Sequence, residues 1–452
     1  MIKNWLRHLL TIVVLLMAVF AISNGVSIGR AILTGQEQSI LPPPYSFFHG
    51  WEKVFKNSGN NSQINWPDCY KISPNCFGVA GKFGVDYAGG YFPAQFYKST
   101  GVIYDLRHDT WQRIYNGTPV SYWLLSHSFL TDVDFAPSHV YFMIFQTVIF
   151  IMAFLYYTRH KKDIYKKVIG LVFVFFALTA TPLGEYFIID GQYYLFNGAA
   201  ILLVLAGWRD NRLLDFLLAG FIAAMRFSFL PPLFFILASL AIFSLRNFFI
   251  TGLSWSKMIA YSKTYGKRLV GGFTVGIIPI LLFAIFPRNE LVTFITWLED
   301  DHYGRPPTYF SMARHIHPWQ YFIIIMMLII LYFFLSLLYQ QKKEKTRVAF
   351  QSISEPIFWC GLGFVASQWG NAVFEYVLVQ LLFVVGLLVD KGSLLYADND
   401  KAIAKFTYPR SIWFLWIFLY LFILRLYEFF SPWPNLFNSL HSYGPLTAII
   451  IA

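Results

Sequence analysis

Apolar runs long enough to cross a lipid bilayer recur along this chain, and they leave few folds open to it. A spanning helix needs roughly 20 apolar residues, fewer where it ends against protein rather than lipid. Such runs fall at Leu6 to Ile28, His139 to Tyr157, Val168 to Pro182, Tyr193 to Trp208 and Leu269 to Phe286. Later ones fall at Trp319 to Tyr339, Pro356 to Trp369, Ala372 to Val389 and Ile412 to Phe430. Residues 213 to 245 must cross twice, as two short helices meeting near Arg226 to Pro232, because basic segments flank them on both sides. The expectation is an all-α polytopic membrane protein with about eleven transmembrane helices.

Composition supports that class. The chain is 57% hydrophobic and only 13% charged, whereas soluble domains carry about a quarter charged residues. A formal charge of +11 would raise nucleic acid as a partner in a soluble protein. Here the basic residues sit between apolar runs, as RHKKDIYKK at 159–167, Arg209 and Arg212, the stretch Arg246 to Arg268, and QKKEKTR at 341–347. That is the pattern of cytoplasmic segments under the positive-inside rule, so membrane lipids are the expected surroundings and nucleic acid is not a partner. The same bias puts the N-terminus inside and the C-terminus outside.

Three regions follow. Residues 1–28 form the first transmembrane helix; its basic start and long apolar core, with no small-residue cleavage site, read as an uncleaved span. Residues 29–137 form a long outer, periplasmic loop expected to carry short juxtamembrane helices. It contains Pro42-Pro43-Pro44, sequon-like sites at Asn60 and Asn116, and the pair Cys69 and Cys76. Two cysteines this close in an outer loop suit a disulfide-closed turn; two unpaired thiols remain the alternative, and a zinc site lacks ligands. Residues 138–452 form the transmembrane bundle, with a second outer loop at 288–318. No internal repeat, Walker loop, dinucleotide fingerprint or HExxH is present.

Ionisable groups at bilayer depth are costly and usually paired or functional. Three places hold polar groups on the expected outer side: Glu185, Asp190 and Gln192 in GEYFIIDGQYYLFNG; Arg226 in AAMRFSFLPP; and Asn371 and Glu375 in WGNAVFEY. Asp86, in GVDYAGGYFPAQFYKSTGVIYD, lies on that side too. Converging on one outward cavity, they would suit transfer from a lipid-phosphate donor. A guanidinium such as Arg226 stabilises the phosphate as it leaves, and a carboxylate such as Asp86 takes the acceptor proton. Plainer readings stand beside these. Asp86 among glycines supports a turn, Arg226 forms a structural ion pair with Glu185 or Asp190, Asp190-Gly191 is turn chemistry, and Glu375 neutralises an arginine. His315 and His317, and Asp300-Asp301, read as loop residues facing solvent or headgroups.

Taken together these residues resemble the C-type glycosyltransferases, polytopic enzymes that use polyprenyl-phosphate sugars, and within them family 87, which includes mannosyltransferases. The resemblance rests on Asp86-Tyr87 with Gly101 and Tyr104-Asp105, on Gly191-Gln192 opening the fourth span, and on Ala219-Gly220, Arg226 and Pro231. Those matches cover about a third of the chain. The resemblance implies a GT-C-like fold with Asp86 as general base and an inverting transfer at the outer face of a bacterial inner membrane, with no nucleotide sugar. Arg226 is then the expected donor-phosphate partner, with Tyr87, Asp190, Gln192, Asn371 and Glu375 as substrate contacts. The partners are a lipid-linked sugar donor and a glycan or glycolipid acceptor, and neither a metal nor another cofactor is expected. The chain departs from the family in its longer loop before Asp86, with the Cys69 and Cys76 insertion. It departs again in offering Asn371 and Glu375 where a late histidine is common. Two other classes compete: a transporter or flippase of lipid-linked sugars, which needs a polar path to the cytoplasmic side, and a non-catalytic partner in envelope polysaccharide assembly, which would tolerate loss of Asp86 and Arg226.

Overall fold

A computed structural model describes residues 2–34, 84–103, 117–180, 187–188, 191–226, 229–250, 255–292, 379–380 and 382–391. Among these residues the chain is helical, with no strand. Helix α1 (Ile2–Thr34) is followed by α2 (Val85–Thr100) and α3 (Pro119–Ser126). Then come α4 (Phe135–Tyr157), α5 (Ile164–Ala180), α6 (Tyr194–Asp210), α7 (Leu213–Ala223), α8 (Leu230–Ile250), α9 (Trp255–Phe283) and α10 (Phe383–Lys391). Among the described residues three stretches are long and apolar enough to cross a membrane: Thr11–Thr34, Phe135–His160 and Gly266–Phe283.

Helix α6 is the hub. Its residues are apolar nearly all round and almost all are buried, the expected composition for a helix enclosed on every side. Phe142 of α4 packs on Tyr193 and Phe196, with ring centroids 4.7 and 5.9 Å apart. The opposite face of α4 carries Tyr141, Ile144, Phe145, Val148, Met152 and Leu155, all exposed at helical spacing. On a helix this apolar, that stripe is a surface for lipid. Helix α1 exposes a similar stripe through Leu15, Leu16, Val19, Ile22 and Val26. Its other face lies along α5, where Thr11 meets the Tyr165 hydroxyl at 2.9 Å, Phe20 meets Phe176, and the Asn24 amide donates to the Thr179 carbonyl.

Side-chain contacts define two ends of this bundle. At one end Asp210 accepts from Arg159 at 2.5 Å and from Arg209 at 2.9 Å, while Arg209 also reaches Asp390 at 3.3 Å. Arg268 of α9 donates to the Arg209 carbonyl at 3.5 Å, and Tyr156 donates to Asp215 at 2.8 Å. The guanidinium of Arg159 also lies 3.8 Å from the Tyr156 ring centroid. This end therefore ties together the C-terminal ends of α4, α6 and α10, the start of α7 and the middle of α9. The basic 159–167 segment begins here. At the other end lie Gln192, Arg226 and the loop helices α2 and α3.

Several sequence boundaries shift. The first helix continues to Thr34, past the boundary expected at residue 28. The second span starts at Phe135, four residues before His139, with Asp134 as its N-cap. The basic stretch from 246 to 268 is not a loop: α8 runs on to Ile250 and α9 begins at Trp255. Lys and Arg are good helix formers, so a helix continues through them past the membrane edge. The two short helices expected between 213 and 245 are present as α7 and the start of α8, parted around Arg226.

Candidate functional site

The stretch around Asp86 is a helix, and this replaces the turn that its glycines suggested. Asp86 is the second residue of α2, whose N-cap Gly84 has φ 74°. An acid in a first helical turn is favoured by the helix dipole whatever else it does, by about 0.3–1 kcal/mol. Tyr87 next to it is fully buried. Its hydroxyl lies 2.5 Å from Ser138 Oγ, and Ser138 in turn donates to the Leu130 carbonyl at 2.7 Å. Tyr87 is therefore the donor in the first bond, and burial, with lesser contributions from Tyr193 and Tyr91, pushes its ionisation well above the ordinary range. Tyr91, one turn on, donates to the Val133 carbonyl at 2.6 Å and accepts from Gln95 at 2.7 Å. Burial, with Asp134 and Asp132 nearby, pushes it up to about 12. Both tyrosines thus stay neutral donors that pin α2 onto the start of α4.

Across from α2 stands the Gly191-Gln192 turn. Gly191 has φ 70°, and a Cβ there would lie 2.5 Å from the Tyr87 Cβ, so the close approach of turn and helix requires glycine. Gln192 is fully buried at the N-terminal end of α6. Its backbone N–H donates to Phe187 O at 3.1 Å, and its carbonyl accepts from Gln146 Nε2 at 2.8 Å. Its side-chain oxygen accepts from Arg226 Nη1 at 3.4 Å, while its Nε2 has no hydrogen-bond partner.

Arg226 follows the last turn of α7. Its guanidinium carbon sits 5.5 Å from the Tyr193 ring centroid and 4.9 Å from that of Tyr194. Two aromatic faces of this kind stabilise a cation that the apolar surroundings would otherwise penalise. The position is held by Thr118, the N-cap of α3. Its Oγ1 accepts from Ser121 N at 3.3 Å and donates to the Ala224 carbonyl at 2.5 Å, with the Met225 carbonyl at 3.1 Å. The outer-loop helix α3 is therefore bolted to the tip that bears Arg226.

Of the residues singled out from sequence, Tyr87, Gln192 and Arg226 come together, and the backbone of Asp86 adjoins them in α2. The side chain of Asp86, and Asp190, Asn371, Glu375, Cys69 and Cys76, lie outside the described residues. Two participants were not singled out at all. His139 and Gln146, both fully buried, share the inward face of α4 with Phe142 and Met143 between them. Polar residues seven apart, on one face of an otherwise apolar span, were the available signal. The His139 ring stacks on Tyr87, with centroids 5.5 Å apart and planes 19° off parallel. Among the described residues no three His, Cys, Asp or Glu side chains gather where they could hold a metal ion.

The arrangement offers hydrogen-bond donors to an anion. Arg226 Nη1 bonds the Gln192 side-chain oxygen, the Gln192 Nε2 has no partner, and Gly191 packs on Tyr87 and His139. Comparison with known proteins returned no matching family model, curated protein or solved structure.

Proposed function

We propose that this chain is an integral membrane glycosyltransferase of the C type, similar in plan to family 87, with about eleven spans. It moves a sugar, mannose by the resemblance, from a polyprenyl-phosphate donor to a lipid-linked glycan or other envelope acceptor. It does so at the outer face of a bacterial inner membrane. The observation that carries the reading is a guanidinium close to two tyrosine rings and beside an unpartnered buried amide. Helix α7 has 11 residues, about 16 Å of rise against a hydrocarbon core of about 30 Å. Arg226 therefore follows a helix that ends well inside the hydrocarbon layer, where an arginine is kept only for a reason.

In the reaction the acceptor hydroxyl oxygen attacks the anomeric carbon from the face opposite the phosphate. The bond from that carbon to the phosphate oxygen breaks, and polyprenyl phosphate leaves with the electron pair. Arg226 and the Gln192 amide donate to the phosphate oxygens as their charge grows. Asp86 takes the proton of the acceptor hydroxyl. Tyr87 fixes the rotation of the helix that carries Asp86. Asp190, Asn371 and Glu375 complete the substrate contacts in this proposal.

The test uses purified protein in nanodiscs with radiolabelled polyprenyl-phosphate sugars and extracted membrane lipids. Label should appear on a new lipid or glycan. Asp86→Asn should abolish transfer while melting as the parent does; normal turnover by that variant sinks the assignment.

A further inference from the structure

We propose that His139 is a positioning residue, whose imidazole sets the spacing between the helix that carries Asp86 and the turn that carries Gln192. This rests on the transferase reading above, since it gives the two halves of that site a common reference.

His139 is 0% exposed, and the Ile188 backbone offers its ring a hydrogen bond that leaves the second nitrogen without a partner. Buried polar atoms find partners in the great majority of cases, so that second nitrogen calls for a reason. A residue that merely filled space here would serve better as Leu or Phe. The reason lies at the two edges of the ring. Gly84, with φ 74°, stands where a Cβ would come 2.9 Å from Nδ1. Gly191, with φ 70°, stands where a Cβ would come 2.9 Å from Nε2. Backbone therefore closes on both nitrogen edges at once.

An imidazole suits that gap and a phenyl ring does not. The five-membered ring is narrower, and its unprotonated nitrogen has no hydrogen projecting toward the backbone. A Cα–H group can approach such a lone pair closely and with weak attraction. The same ring fixes orientation as well as distance. Tyr87 lies flat on it and reaches the neighbouring Ser138 with its hydroxyl, so the first turn of α2 is held at two points. On the other side Gln146, from the same face of α4, holds the Gln192 carbonyl. One side chain of α4 thus abuts both halves of the site, and its removal should release them together.

The experiment compares the parent with His139→Ala as full-length protein in nanodiscs. The readouts are amide exchange, melting and transfer from a short-chain polyprenyl-phosphate sugar. In His139→Ala, exchange should accelerate by about tenfold in both 84–91 and 187–193, leaving 194–210 unchanged. Turnover should fall about 100-fold with KM within about threefold, the mark of misplaced reacting groups rather than lost binding. Should His139→Ala fail to fold, His139→Asn carries the same expectations. Faster exchange in only one of the two segments overturns the proposal. A parent protein inactive with every donor, but with coupled exchange in the variant, would overturn the transferase reading and leave the spacing role standing. An active parent with uncoupled exchange has the opposite meaning.

Discussion

Thr118 is the point where α3 meets the end of α7, and replacing it tests whether that joint is a hydrogen-bonded one. Thr118→Val keeps the shape and removes the hydroxyl. Three contacts go with it: the cap on Ser121 N at 3.3 Å, the short bond to the Ala224 carbonyl at 2.5 Å and the longer approach to Met225 at 3.1 Å. The lost cap costs about 1 kcal/mol. The hydroxyl has one hydrogen, so a single good bond to carbonyl oxygen is lost, at 2.5 Å to Ala224 in surroundings that are fully buried. Leaving that acceptor without a partner costs about 1–3 kcal/mol. The sum is about 2–4 kcal/mol, a fall in Tm of about 2–4 °C for a chain of this size. The assay is thermal unfolding in nanodiscs at one fixed scan rate, because membrane proteins often unfold irreversibly and Tm is then a kinetic quantity. Thr118→Ser should recover most of the loss, since it restores the oxygen and lacks only a methyl group. If Thr118→Val melts with the parent while Thr118→Ala does not, the joint is a packing contact and the hydrogen-bond reasoning fails.

Two further predictions concern the same framework. Asp210→Asn should destabilise the protein by about 2 kcal/mol at neutral pH, since it leaves Arg159 and Arg209 facing a neutral amide in a partly buried site. Burial alone would raise the Asp210 carboxyl, but the Arg209 bond and charge, with Arg159 and His160, outweigh it and hold it below its ordinary value. That contribution is therefore complete above about pH 3.9 and is lost as acid titrates through the lower folded value. Parent and Asp210→Asn stabilities should converge on that descent, and a gap that persists to the lowest pH would refute the charge argument. Tyr87→Phe should cost about 1–2 kcal/mol in denaturant unfolding, because Ser138 keeps its own donor to Leu130 and loses only the bond it accepts. No change in unfolding midpoint would mean that the Tyr87–Ser138 bond does not anchor α2.

Hydropathy made the strongest elements legible. Helices α4, α5 and α6 fall within a few residues of their apolar runs, and the break around Arg226 could be placed from the need to return to basic segments. Helix α9 was harder, because its first half carries Lys257, Lys263, Lys267 and Arg268. Charge marks where a membrane ends, but not where a helix does. Helix α2 was obscured in another way. Gly89, Gly90 and Pro93 lower its helix propensity, and its aromatic face against α4 overrides that preference. At the candidate site, Arg226 and Gln192 stood out because charge and amide groups are rare in such company. His139 did not, because a histidine at the edge of an apolar run looks like the end of a span. Its significance comes from Gly84 and Gly191 reaching it from segments about 50 residues away on either side.

The two ends of the bundle differ in their charged groups, and the difference bears on transport versus transfer. At the Arg159 end the charges meet opposite charges, and the network joins α4, α6 and α10 in one cluster. At the Arg226 end, His139, Gln146 and Gln192 keep buried polar atoms without partners. A carrier working by alternating access must open each end in turn. Opening the Arg159 end would separate Arg159 from Asp210 and Arg209 from Asp390, pairs that are only partly exposed, and would forfeit their attraction. A transferase has no such need. It requires one end held fast, so that donors at the other end stay aimed while a lipid-linked substrate arrives and leaves sideways through the bilayer. An ion-pair network holding one end, with hydrogen-bonding capacity left at the other, is the arrangement the transferase proposal expects of a fixed site.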